Sequence, residues 1–153
     1  MSESFVKTLN KIHDIFLERG FRNVSMDDIC RELGISKKTI YQHVNNKQEL
    51  IQMVLQNEKQ KIFNKILIIK EDRFNAIDIL LKVSKITIEK HFRFNPMHSF
   101  ELKKYYPSIF QEFLKEKQIL ITEFIKKNLE QGINEGLYRQ EIDMDIVSRL
   151  YYE

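Results

Sequence analysis

Apolar positions recur at helical spacing along almost the whole chain. Phe5, Leu9, Ile12, Phe16 and Leu17 share one face of a first helix, which stops at Gly20, the residue type that accepts a left-handed conformation after a helix. A connector, Phe21–Val24, follows. Ser25 then reads as an N-cap with Asp28 three residues on and with Ile29 and Leu33 facing inward, a capping box in which Asp replaces Glu. After the Gly34-Ile35 break, Ser36 caps a third short helix carrying Thr39, Ile40 and His43, and Asn46 with Glu49 caps a long helix beginning at Lys47. Leu50, Ile51, Val54, Leu55, Ile62, Phe63, Ile66 and Leu67 keep the period, which predicts an element of roughly 24 residues, about 36 Å long at ~1.5 Å per residue.

A charged break at Lys70–Arg73 leads into Ala76–His91. Its apolar residues Ile77, Ile79, Leu80, Leu81, Val83, Ile86 and Ile88 lie on most sides, which predicts a helix inside a bundle. Pro96 opens a short segment ending near Tyr105, and Pro107 suits the first turn of a long helix with Phe110, Phe113, Leu114, Ile121, Phe124, Ile125 and Leu129. Gly132 and Gly136 are expected to end it. Asp143 caps a last helix with Ile146, Val147, Leu150 and Tyr151, a stripe still running at Glu153, so the final element reads as cut short. Gly occurs only at 20, 34, 132 and 136 and Pro only at 96 and 107, far too sparsely for the turns of a sandwich or barrel. The fold class is therefore all-α.

Composition narrows the setting. At 153 residues and 42% apolar the chain holds enough for one domain-sized core, or a small module on a larger one, which excludes disorder. Its longest apolar runs, such as Ile66–Ile69, fall far short of the ~18 residues a membrane span needs, and Met1–Asn10 has no signal-peptide core. One cysteine, Cys30, excludes an internal disulfide framework and fits a reducing cytoplasm. The net charge of +3 is too small to argue for nucleic acid by itself. Its distribution is more informative: Gly34–Gln48 contains Lys37, Lys38 and Lys47 and no acid.

That basic stretch coincides with helix, glycine-containing turn, helix over residues 25–43, the grammar of a helix-turn-helix whose second helix enters the major groove. Lysines there attract phosphates. Ser36, Thr39 and Tyr41 offer hydroxyl donors, and Gln42 and His43 are suited to base edges. The longer pattern, Phe16-x-x-x-Gly20-Phe21, Ser25-Met26-x-x-Ile29, Gly34-Ile35-Ser36-Lys37, Thr39-Ile40-Tyr41-x-His43 and Asn46-Lys47-x-x-Leu50, resembles the N-terminal domain of the tetracycline-repressor (TetR) family over roughly residues 5–52. The resemblance implies a three-helix DNA-binding domain at 1–46 and a helical ligand-sensing and dimerisation domain at 47–153, incomplete at its C-terminus. It implies phosphate contacts from Thr39, Tyr41 and Lys47, with Lys37, Lys38, Gln42 and His43 on or near the base-reading surface. Three packing positions depart from the family pattern: Val44, the Lys11-Ile12 region and Cys30.

Outside this domain the most pocket-like segment surrounds the proline-marked turn. Candidate ligand-pocket residues are Ser84, Thr87, His91, Phe94, Met97, His98, Phe100, Tyr105, Phe110, Phe113 and Gln118, an apolar and aromatic set with a few polar groups. Cys30 reads as a small core residue rather than a redox sensor, and His13 as an ordinary helix residue. His91, His98 and Glu101 have too little spacing information for a metal site, and no catalytic constellation is present, so neither cofactor nor enzyme activity is expected. The expected function is a cytoplasmic transcriptional regulator, a homodimeric repressor released from a palindromic DNA operator by a small apolar or amphipathic effector. The competing reading is a helical protein-interaction module without sequence-specific DNA binding. Salt dependence separates the two.

Overall fold

A computed structural model describes residues 3–71, 74–93 and 96–151. The described residues form eight α-helices and no strand: α1 (Glu3–Arg19), α2 (Met26–Leu33), α3 (Lys37–Tyr41), α4 (Lys47–Glu71), α5 (Ala76–Arg93), α6 (Pro96–Tyr105), α7 (Pro107–Asn134) and α8 (Met144–Leu150). Two compact units are distinguishable, one of residues 1–62 with 91–111, the other of residues 63–90 with 112–153.

In the first unit, α1–α3 and the start of α4 close around Leu9, Ile12, Phe16, Phe21, Ile29, Ile40, Leu50, Ile51 and Val54, all at 0% exposure. Burying a side chain of this size contributes about 1.5–3 kcal/mol. These few residues therefore hold α2 and α3, of 8 and 5 residues, which could not persist alone, against the longer α1. Chain reversals within the unit rely on local chemistry. Ser25 accepts the Asp28 N–H while the Asp28 carboxylate accepts the Ser25 N–H, closing the capping box, and Gly34 at φ 64° caps α2 by donating to Arg31 and Cys30 carbonyls. Segment α6 packs on the same unit through Leu102 at 0% exposure and through buried His98 and Glu101.

His13 differs from its expected role as an ordinary helix residue. It is buried, with Nδ1 3.7 Å from the Glu58 carboxylate of α4, and Asn57 donates to Asn10 at 2.7 Å beside it. Buried polar groups of this kind are tolerated only when partnered, so the set fixes the register of α4 along α1.

The second unit buries Ala76, Ile79, Val83, Ile125 and Leu129. Asn128 joins its helices, donating to the Ala76 carbonyl at 2.7 Å and accepting from the Tyr138 hydroxyl at 3.1 Å. Two expectations are corrected here. Helix α7 runs through Gly132 to Asn134; an added Cβ at Gly132 would stand 2.1 Å from the Tyr138 ring, so this glycine serves close approach rather than termination. Helix α5 is not enclosed on most sides, since Ile77, Leu81 and Ile88 are exposed within the chain. Asp143 caps α8 as its sequence predicts, accepting from Asp145 and Ile146 N–H groups at 3.0 Å.

Candidate nucleic-acid interface

Two capped helix starts frame the helix-turn-helix. Ser36 Oγ accepts the Thr39 N–H at 3.1 Å and meets the Thr39 hydroxyl at 2.9 Å, which fixes the first turn of α3. Asn46 Oδ1 accepts the Glu49 N–H at 2.9 Å, while the Glu49 carboxylate accepts the Asn45 N–H at 2.7 Å. That backbone bond holds the Glu49 carboxyl below the ordinary glutamate range. Helix α3 is only five residues long and is anchored by one buried side chain, Ile40. Everything else on it faces outward: Lys37, Lys38, Thr39 and Tyr41 are all exposed.

The expected contact residues are not equivalent in this geometry. Lys37 donates to Asp27 of α2 at 2.8 Å, and that bond raises its pKa. Much of its charge is thus answered within the head. Lys38 is exposed and has no carboxylate within ion-pair distance among the described residues. Gln42 is the C-cap of α3 and its side chain is exposed. His43 falls beyond the helix that was expected to carry it, and its ring stacks on Phe5 of α1 with centroids 3.7 Å apart.

Lys47 is half-buried. Its ammonium donates to the Arg22 carbonyl at 3.1 Å and stands 5.8 Å above the Tyr106 ring. Burial lowers its pKa, with the Glu101 carboxylate acting in the opposite direction. Lys47 therefore stitches the start of α4 to the α1–α2 connector.

Glu101, weighed from sequence only as a metal ligand, has a different position. Its carboxylate accepts the Phe21 N–H at 2.6 Å and lies against Gly20, whose φ is 85°. Two residues of the same helix lengthen this clasp: His98 Nε2 bonds the Leu17 carbonyl at 3.0 Å, and Arg22 donates to the Tyr105 hydroxyl at 2.6 Å. The signal available in sequence was Gly20-Phe21, which marks a tight corner but not its partner eighty residues away. No group of three or more metal-ligating side chains occurs among the described residues.

The remaining pocket candidates divide between the units. Met97, His98, Phe100, Tyr105 and Phe110 belong to the first, where Met97 and Phe100 are exposed and His98 is buried. Ser84, Thr87, Phe113 and Gln118 belong to the second; the Thr87 hydroxyl donates to the Val83 and Ser84 carbonyls, and Gln118 is exposed. Phe94 and the side chain of His91 lie outside the described residues. No described helix is long and apolar enough to cross a membrane.

A sequence profile for "Bacterial regulatory proteins, tetR family" matches residues 9–54. The "HTH-type transcriptional regulator UidR" of Escherichia coli strain K12 is 25% identical over 147 residues, covering 94% of this chain and 74% of the relative. Among solved structures, a transcriptional regulator from Cytophaga hutchinsonii ATCC 33406 matches with a TM-score of 0.83 at 14% identity, over 99% of this chain and 77% of that one. FadR of Bacillus subtilis, solved in complex with stearoyl-CoA, matches with a TM-score of 0.69 at 16% identity, over 97% and 81%. The profile falls on the very residues whose caps and exposed side chains build this interface, and the likeness in fold extends to nearly the whole chain; residues 9–54 match the N-terminal module of the tetR family of bacterial regulatory proteins.

Proposed function

We propose that this protein is a one-component repressor that binds a palindromic operator as a homodimer and leaves it when a small apolar or amphipathic effector binds. Residues 1–46 form the DNA-binding domain in this reading and residues 47–153 the sensing and dimerisation domain. One observation carries it: α3 displays Lys38, Thr39 and Tyr41, with the Gln42 side chain beyond them, on a face pinned from beneath by Ile40 alone. A short helix so exposed has little to do for the core. Its side chains suit the major groove, with Thr39 and Tyr41 directed at phosphates and Lys38 and Gln42 at base edges. Ser36, Lys37, His43 and Lys47 then support the reading helix through the cap, the Asp27 pair, the Phe5 stack and the Arg22 carbonyl.

For the effector, the B. subtilis FadR complex with stearoyl-CoA supports the amphipathic class, since a chain of similar fold accommodates such a molecule. The effector shifts a population. It binds the arrangement in which the two heads of a dimer miss successive major grooves, about 34–36 Å apart, and so depletes the DNA-competent one.

Selection of bound sequences from random duplex DNA, followed by titration at several salt concentrations, tests this. A palindromic preferred site and a steep loss of affinity with salt are expected. Lys38→Ala and Gln42→Ala should each relax preference at one or two positions per half-site, by about 1–3 kcal/mol, whereas Tyr41→Phe should weaken all sequences alike. Binding that ignores salt would instead favour a protein-docking module.

A further inference from the structure

We propose that Arg22, Tyr105 and Lys104 form an accessory DNA-backbone contact, which grips phosphates flanking the bases that α3 reads. The inference rests on the DNA-binding reading above and extends it to a surface outside the helix-turn-helix.

Three observations carry it. First, one aromatic ring holds two cations: the Arg22 guanidinium lies 4.6 Å from the Tyr105 ring centroid and the Lys104 ammonium 5.4 Å from it. Two like charges on one ring repel, and among the described residues no carboxylate lies within ion-pair distance of either, nor of neighbouring Lys103. The nearest acid in sequence, Glu101, is buried and committed to the Phe21 N–H. The helix dipole accounts for lysines in the last turn of α6. It does not account for an arginine brought onto the same ring from the α1–α2 connector.

Second, the arginine is tethered in advance. Its NH1 donates to the Tyr105 hydroxyl at 2.6 Å, so the rotamer freedom that a surface arginine loses on meeting an anion is already spent, while the residue stays exposed and the other guanidinium donors are left for a phosphate.

Third, the cluster adjoins the interface. The Arg22 carbonyl accepts from Lys47 at the first residue of α4, Tyr106 lies under that same ammonium, and Arg22 precedes the Ser25 cap of α2 by three residues. Lys47, Arg22 and Lys104 thus follow one another from the start of α4 to the end of α6. A row of cations with hydroxyl and N–H donors and without base-reading groups suits the regular spacing of duplex phosphates.

The experiment is fluorescence-anisotropy titration of the whole chain with its selected duplex in two lengths, one trimmed to the bases that show preference and one extended on both sides. Lys104→Glu and Arg22→Gln should each weaken binding to the long duplex several-fold or more and lower the slope of log affinity against log salt by about one per lost phosphate contact. On the trimmed duplex they should differ little from the unaltered chain, and the selected sequence should not change. Lys38→Ala is the internal control, expected to weaken both lengths. If Lys38→Ala weakens binding while Lys104→Glu and Arg22→Gln match the unaltered chain on both lengths, the accessory contact is overturned and the helix-turn-helix reading stands; the cluster would then suit another anion, such as an acidic protein surface. If the unaltered chain binds no duplex, both readings fall. Because Arg22→Gln also removes the Tyr105 tie, Lys104→Glu, at an exposed position, is the decisive variant should Arg22→Gln fail to fold.

Discussion

Asp28 and Glu49 perform one task at two helix starts, each closing a cap with its carboxylate, and Asp145 adds a third anion tied to Lys126. All three carboxyls sit below their ordinary values of 3.8 for Asp and 4.5 for Glu; the Ser25 hydroxyl is the main cause at Asp28, the Asn45 N–H at Glu49 and the Lys126 ammonium at Asp145. A carboxyl with a lower pKa folded than unfolded takes up protons more readily in the unfolded chain. Its contribution is complete above the unfolded value and is lost as pH falls through the folded one. Thermal stability should therefore hold down to about pH 4.5 and decline below it. Asp28→Asn should be less stable at neutral pH and lose less on acidification; identical acid slopes by circular dichroism would show that this cap contributes nothing. Such caps were legible in the sequence because each is closed within three or four residues. The stack of His43 on Phe5 and the pair of His13 with Glu58 were not, since nothing local distinguishes those residues from exposed helix positions.

Helix α6 shows how far element boundaries and element roles separate. Pro96 and Tyr105 were readable as its ends, yet its purpose in the first unit emerges only from Glu101 reaching the Gly20-Phe21 corner. Two glycine substitutions isolate that clasp. Gly34 at φ 64° has nothing within 4 Å of an added Cβ, so Gly34→Ala should cost only the left-handed backbone penalty, about 1–2 kcal/mol. Gly20, at φ 85°, would place a Cβ 2.7 Å from both Glu101 carboxylate oxygens, so Gly20→Ala should cost more. Adding Glu101→Ala should recover part of the excess at Gly20 and none at Gly34, and additive losses in both cycles would remove Glu101 from its anchoring role. Gly132 carries the same lesson in the second unit. A glycine in a helical pattern was read as a stop, whereas the Tyr138 ring required the space.

At the scale of the whole molecule, a large share of apolar side chains in the second unit remains uncovered. Leu81 and Leu150 are 63% and 66% exposed, with Ile88, Ile119, Ile146 and Tyr151 also open. Scattered apolar residues are ordinary, but α8 turns Ile146 and Leu150 outward and its C-cap Tyr151 is open beside them, while its fully buried side chain is Ser148. A two-fold partner is expected to cover this face together with part of α7, because such a contact uses the same patch on both subunits. Leu150→Asp should shift the chain toward monomer in sedimentation and make DNA affinity depend more steeply on protein concentration. An unchanged dimer would place the interface elsewhere. The all-α class and the helix order were readable from periodicity and sparse Gly and Pro. Which faces stay open was not, because periodicity reports that a face is apolar and not what lies against it.

Cys30 gives the head an internal clock. Buried on α2 beside Ile29, its thiol has a pKa raised chiefly by desolvation, and the chain has no other sulfhydryl. At 7% exposure the thiol meets a disulfide reagent chiefly when the packing around α2 opens, so the labelling half-time reports how often the head opens. Operator DNA, binding the closed head alone, should slow labelling to a rate proportional to the fraction of chains left unbound, while an effector that releases the DNA should shorten the half-time again. Repression would thus be readable as the protection of a single sulfur atom.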